Sequence, residues 1–285
     1  KALVPSTAFN TLMILNALQA TEKSQVVDAG VAQHYDMLIR RRLSESGTPF
    51  KEFDGIYAYL SHMAWWLRVR ETIIMDRPEF DTFNNYFTQK IHPINTTEVA
   101  QLLIKSRILT VRDSSYQFRH PSARYFFLAH YIAEHADEDE TAKNLALNAC
   151  KKLYRKENAN LIVFLASKTS SKWIIREVSA VLAELLKDIQ PFNITKDAKT
   201  LNSWITEKAT LAINDIDNQK DNRRKHRERE EEARVLENGH PEVAEVESLS
   251  QLDMFTQINL VFKTSEILGL ILKSKYGSLN AKTKN

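Results

Sequence analysis

The sequence predicts a mainly α-helical fold that is interrupted by one short β-hairpin. Only 6 glycines and 7 prolines occur among 285 residues, and so few turn-forming residues favour helices joined by short loops. Apolar residues recur at helical spacing along most of the chain, whereas LTVRD and YQFRH, within residues 109–120, alternate like strands. Hydrophobic residues make up 43% of the chain, which is enough to bury a core at this length.

Residues 1–48 are predicted to form a helical domain. Its first helix covers residues 6–20, where Ser6 or Thr7 follows Pro5 and can act as the N-cap. Its second helix covers residues 25–45 and ends after three consecutive arginines, whose positive charge suits a helix C-terminus. The sequence SESGTP then ends the helix.

Residues 49–136 are predicted to combine helices with the hairpin. The segments FDGIYAYLSHMAWWLRVRE, PEFDTFNNYFTQKI and NTTEVAQLLIKSRIL predict three helices, the last of them capped by Thr96 or Thr97. Two strands follow across a Ser114-Ser115 turn, and an aromatic helix begins directly after the second strand. Helices followed by a hairpin and a further helix are typical of a winged-helix domain.

Residues 137–285 are predicted to form a C-terminal α-helical array that acts as a sensor or interaction region. Its segments keep helical apolar spacing but show no repeat of a named solenoid family. Residues 217–240 mix charges of both signs densely, which predicts a solvated helix or a flexible spacer.

The sequence contains no recognisable catalytic or metal-binding motif. A G-x-x-x-x-G-K-[ST] phosphate loop, a G-x-S-x-G turn, an H-E-x-x-H helix and zinc-ligand spacing are all missing from it. His62 and His130 lie on apolar helices with no acid at a useful spacing, so we expect them to be structural. We therefore expect that this chain alone is not an enzyme and holds no metal.

Charge, cysteine content and hydropathy indicate what the protein binds and where it is located. A net charge of +3 does not indicate a protein that coats nucleic acid. Cys150 is the only cysteine, so no internal disulfide can form, and a reducing, cytoplasmic location is expected. No apolar run approaches the roughly 18 residues that a membrane span needs. The chain begins without methionine, and we expect it to be a piece of a longer protein.

Two segments resemble STAND-class P-loop regulators, the NACHT and NB-ARC-like signalling ATPases. FRHPSARYFFLAHYIAEH, residues 118–135, resembles their winged-helix segment, a strand ending in F-x-H that runs into an aromatic helix. The matching positions are Phe118, His120, Ser122, Tyr125, Phe126, Ala129 and Tyr131. Arg124 departs from the pattern, because the family often has an acid there. VPSTAFNTLMILNAL resembles the segment that opens the family's helical domain, with Pro5 at its first proline and Ala8 replacing the second.

The resemblance implies a non-catalytic regulatory or sensor fragment of a STAND signalling ATPase, from the region that follows the nucleotide-binding domain. That upstream domain would bind ADP or ATP with Mg²⁺, and this chain alone would bind neither. Nucleotide state would then control domain rearrangement and homo-oligomerisation. The C-terminal helix INLVFKTSEILGLILKSKYGSL resembles the helical extension of bacterial STAND proteins, which suggests antiphage defence.

The same resemblance implies the partners and two site residues. The partners would be the chain's own upstream nucleotide-binding and effector domains and a protein trigger, and we expect neither membrane nor nucleic-acid binding. His120 would contact the β-phosphate of ADP, and Pro5 would pack near the adenine. Alternatively, His120 makes only a local hydrogen bond at a helix N-terminus, and Pro5 only starts a helix.

Two other functions stay open at this point. The first is a winged-helix protein that binds nucleic acid, with Lys105, Arg107 and Arg112 on phosphates. The second is a helical protein-interaction scaffold, in which residues 138–285 bind a protein ligand.

Overall fold

The computed structural model describes residues 31–153, 155–169, 173–187 and 254–275. The predicted helix at 6–20, residues 25–30 and the spacer at 217–240 lie outside these ranges. Within them the chain forms, in order, α1 (Val31–Glu45), α2 (Phe53–Val69), β1 (Ile74–Met75), α3 (Arg77–Lys90), α4 (Thr96–Lys105), β2 (Leu109–Arg112), β3 (Ser115–Phe118), α5 (Pro121–His135), α6 (Glu140–Lys151), α7 (Lys156–Lys168), α8 (Trp173–Leu186) and α9 (Met254–Lys275). The predicted mainly helical fold with a short β-hairpin is confirmed.

The chain divides into two compact units. The described residues up to Glu184, together with those from Ile258 onward, belong to the first unit, and residues 185–257 belong to the second. Of the second unit, the structure describes residues 185–187 and 254–257. The predicted domain boundaries at 48 and 136 stay predictions.

The end of α1 shows why the predicted break occurs after the arginine triplet. The Thr48 N–H donates to the Leu43 carbonyl at 3.1 Å, and the Gly47 N–H donates to the Ser44 carbonyl at 3.0 Å. This pair of bonds is a Schellman motif, which satisfies the last carbonyls of a helix. Gly47 adopts a φ of 92°, and glycine reaches that region at little cost.

The N-cap of α4 corrects a prediction. Asn95, rather than Thr96 or Thr97, caps the helix, and its side chain accepts a hydrogen bond from the Glu98 N–H at 3.3 Å. Asparagine is the stronger N-cap residue, and Asn95 has the non-helical backbone that an N-cap requires. The two threonines therefore lie inside the first turn.

The sheet contains one strand more than the sequence predicts. β1 pairs antiparallel with β3, so that the strand order is β1-β3-β2. The hairpin turn is Asp113-Ser114, with φ values of 48° and 62°, and Arg112 pairs with Ser115. The predicted Ser114-Ser115 turn is therefore wrong by one residue. Positive φ at both central residues is typical of a type I′ turn, whose twist matches that of the flanking strands.

Helix α5 lies at the centre of the described core. It packs most extensively against α2 and α7, and Phe126 and Phe127 are fully buried. The Phe127 ring lies 5.4 Å from Tyr57 of α2, and the Phe126 ring lies 5.6 Å from Phe164 of α7. Aromatic pairs at these separations add to the stability that burial alone provides.

We predict that replacing Phe127 with alanine destabilises the protein by about 3–5 kcal/mol, because the change leaves a cavity in a close-packed core. Phe50 is the matched control, since it is 78% exposed, and its replacement with alanine will change stability by less than about 0.5 kcal/mol. Chemical denaturation of both variants measures the two effects. Equal destabilisation by the two changes would contradict this description of the core.

Candidate functional site

His120 lies where the hairpin passes into α5. Its backbone is extended, with φ −124° and ψ 131°, and it occupies the N-cap position with Pro121 next in the chain. The side chain makes no capping hydrogen bond to the helix and is half-buried. The imidazole therefore does not cap α5, and the alternative that it makes another local hydrogen bond stays open.

The junction between β3 and α5 is fixed from both sides. The Arg119 N–H donates to the Ile108 carbonyl at 2.9 Å, which ties the end of β3 to the residue before β2. On the other side, the buried Tyr35 of α1 forms a side-chain hydrogen bond with Ser122 in the first turn of α5, and burial raises the pKa of this tyrosine. The residues between these two bonds therefore have little freedom.

The His120 imidazole lies near positively charged side chains. We call Arg42, Arg107, Arg119 and His120 the cationic cluster. Burial, followed by the charges of Arg119 and Arg42, lowers the pKa of His120. Burial and the charges of Arg107 and Arg119 likewise lower the pKa of Arg42, against the opposing effect of Glu45. These effects favour the neutral imidazole over the imidazolium, and the charges of the three arginines attract anions.

Pro5, the other predicted site residue, lies outside the described residues. The roles that the resemblance implies for His120 and Pro5 both stay predictions. Sequence reasoning missed the contribution of Arg42, which lies far from His120 in the chain. The Arg42 guanidinium also reaches α4, where its Nη1 donates to the Ser106 carbonyl at 3.5 Å.

The three cations that would serve a nucleic-acid interface have different local surroundings. The Lys105 ammonium donates to the Ser46 carbonyl at 2.9 Å, so that it is bonded within the chain. Arg107 belongs to the cationic cluster and adopts a φ of 59°, whereas Arg112 ends β2 on the hairpin. The structure therefore gives the three residues three different local roles.

A polar network that the sequence did not predict connects α1 with α2 and α7. The Asp36 carboxylate accepts bonds from Arg40 at 2.7 Å, from Lys168 at 3.1 Å and from the Tyr57 hydroxyl at 3.1 Å. Burial opposes ionisation of Asp36, but the bonds and charges of Arg40 and Lys168 outweigh it and hold the pKa below its ordinary value. Only the Asp36–Arg40 pair, at i and i+4, has a local sequence signal.

Two residues of types that catalysis often uses, His62 and Cys150, are packed in the core. His62 contacts the rings of Phe87 and Tyr131, and burial followed by the charge of His135 lowers its pKa to about 4. Cys150 is buried, and burial raises the pKa of its thiol to about 12, which makes it unreactive.

The expectation that His130 has no acid at a useful spacing is wrong. His130 does have an acid at a useful spacing, because its Nδ1 lies 3.1 Å from Oε1 of Glu134, one helical turn later. Even so, the part of the chain that the structure describes has no group of three or more His, Cys, Asp or Glu residues that could hold a metal ion.

The helices that the structure describes include none with both the length and the apolar character that crossing a membrane requires.

We predict that replacing Arg119 with glutamine raises the pKa of His120, because the change removes a positive charge that disfavours the imidazolium. Titration of the imidazole resonances by NMR measures this shift. The matched control is Arg68→Gln, an exposed arginine of α2, which will leave the His120 titration unchanged. If Arg119→Gln does not move the titration either, the cationic cluster does not act on the ring.

The β3–α5 junction lies in a segment that matches a known protein family. Residues 74–128 match the family model described as Novel STAND NTPase 4, a stretch that runs from β1 into α5 and includes Arg119 and His120. No curated protein matches the chain. No solved structure matches it either. The chain is thus similar to STAND NTPases over the sheet and the β3–α5 junction, which supports the association that residues 118–135 predicted.

Proposed function

We propose that the chain is a regulatory part of a STAND signalling NTPase, in which His120 contacts a phosphate of the nucleotide bound by an upstream domain. The observation that carries the proposal is the position of His120. The residue lies inside the segment that is similar to STAND NTPases, is half-buried, and lies near the charges of its neighbour Arg119 and of Arg42 in α1.

The chemistry of the cluster suits a diphosphate. A neutral imidazole can donate one N–H to a phosphate oxygen, and the negative charge of the phosphate then favours the imidazolium. The resulting bond is charge-assisted and hence stronger than one between neutral groups. Arg42, Arg107 and Arg119 add a positive potential that holds the phosphate at this side of the domain.

The position of His120 would also couple the nucleotide to domain arrangement. His120 immediately precedes α5, and α5 is held by the core through Phe126 and Phe127. A phosphate contact at this point favours the domain arrangement in which the contact exists, by the free energy of that contact. In this proposal ATP releases the contact made in the ADP state, and the domains then rearrange and oligomerise.

The remaining helices would complete a STAND regulatory region. α2 to α4, the sheet and α5 occur in the order expected for a winged-helix domain. The helices from α6 onward would act as the sensor for a protein trigger. Antiphage defence in a bacterial cytoplasm is the setting that the C-terminal resemblance favours.

The test is His120→Leu in the protein that includes the upstream nucleotide-binding domain. We predict that affinity for ADP falls about tenfold, the size expected for loss of one charge-assisted bond, and that basal activation rises. Because the bond favours the imidazolium, ADP binding to the unmodified protein will also strengthen as pH falls below neutrality, more than it does in the variant. Calorimetric titration at several pH values measures both effects.

The matched control is His92→Leu, which removes an exposed histidine from the segment after α3. This variant will bind ADP like the unmodified protein. Unchanged ADP affinity and unchanged basal activation in His120→Leu would refute the assigned role.

A further inference from the structure

A second cationic feature lies beside the same junction, at a cavity of about 170 Å³. Three arginines from different elements line it. Arg112 is the last residue of β2, Arg119 follows β3, and Arg124 lies in the first turns of α5. His120 is not among the described lining residues, whereas Arg119 belongs to both the cavity and the cationic cluster.

Arg119 takes part in both features, because its charge acts on the His120 imidazole and the residue also lines the cavity. Side chains of successive residues in an extended segment point to opposite sides. The register places Thr110 opposite Gln117, and both residues line the cavity. The bond from the Arg119 N–H to Ile108 continues this pairing one residue past β3, so Arg119 lies on the same side of the strand pair as Gln117.

The described residues give the cavity donors but no acid. Among them no Asp or Glu lines the cavity, and no carboxylate forms an ion pair with Arg112, Arg119 or Arg124. Arg124 does bond to a neutral group, because its Nη2 donates to the Tyr125 hydroxyl at 3.2 Å. Three guanidiniums around one small cavity repel one another, and a bound anion would relieve that repulsion.

We propose that this cavity, the arginine pocket, binds a phosphoryl group. A phosphate carries up to two negative charges and several oxygens, which three guanidinium forks can approach in pairs. The Thr110 hydroxyl and the Gln117 amide supply neutral donors at the wall of the pocket. The adjacent start of α5 contributes the partial positive charge of a helix N-terminus.

The lining favours a phosphoryl group over a nucleobase. Phe118 is the aromatic residue at the cavity, and it is only 7% exposed, so it offers little ring surface on which a base can stack. A carboxylate is the other anion that arginine binds well, but its single charge leaves two of the three cations without a counter-charge. We therefore expect the pocket to bind phosphate more tightly than a carboxylate or single-stranded nucleic acid.

The test titrates the 285-residue chain with inorganic phosphate, pyrophosphate and ADP, and with acetate as the carboxylate, at constant ionic strength. NMR shifts of the Gln117 side-chain amide report binding at the pocket. We predict saturable binding of phosphate and tighter binding of pyrophosphate, with acetate much weaker. Arg112→Gln and Arg124→Gln will each weaken phosphate binding about tenfold or more.

Controls distinguish the pocket from general charge. Arg68→Gln removes an equal charge on α2, and His92→Leu removes an exposed histidine outside both proposed sites; both will leave phosphate binding intact. Binding of ADP that depends on Arg124 would identify a nucleotide as the source of the phosphoryl group, whereas binding of phosphate and pyrophosphate alone would identify a smaller phosphate. Either result supports the pocket.

Three results would overturn the inference. The first is phosphate binding that survives both arginine substitutions while circular dichroism shows the variants folded. The second is an equal loss of binding in Arg68→Gln, which would indicate nonspecific charge. The third is acetate binding as tight as phosphate binding. Because Arg112 is exposed on the hairpin, its substitution keeps the test valid even if Arg124→Gln is unstable.

Discussion

The packing of α5 between α2 and α7 is the constraint on which the rest of the described structure depends. Phe126 and Phe127 are fully buried, so the helix has one position in the core. Only Arg119 and His120 separate β3 from α5, and a connection this short leaves the chain almost no choice of path. The core therefore determines the positions of the Arg119 and His120 side chains.

The short connection also gives the junction two chemically different sides. On one side His120 lies in the cationic cluster, where burial and the charges of Arg119 and Arg42 lower the pKa of the ring. On the other side Arg119 also lines the arginine pocket with Arg112 and Arg124. A strand that enters a helix N-terminus in this way places donors, positive charge and a fixed backbone together. In our account, nucleotide control uses the first side and a separate phosphoryl group uses the second.

The sequence was most informative where the signal is local. Helical spacing and sparse glycine predicted the helices, alternation predicted the hairpin, and the F-x-H pattern drew attention to His120. β1 was missed because two residues are too few to show a period, and Asn95 was overlooked because adjacent threonines can also cap. Arg42 and Lys168 reach their partners only after the chain folds, across 64 residues to Ser106 and 132 residues to Asp36, and no single-sequence pattern encodes such contacts.

The most direct test of the account is a crystal structure, with ADP bound, of the protein extended by its upstream nucleotide-binding domain. The account predicts that an imidazole nitrogen of His120 lies about 2.7–3.2 Å from a phosphate oxygen, within hydrogen-bonding distance, and that Arg42 lies nearby. An ADP molecule whose phosphates contact only the upstream domain, with His120 turned toward its own domain, would contradict the central claim.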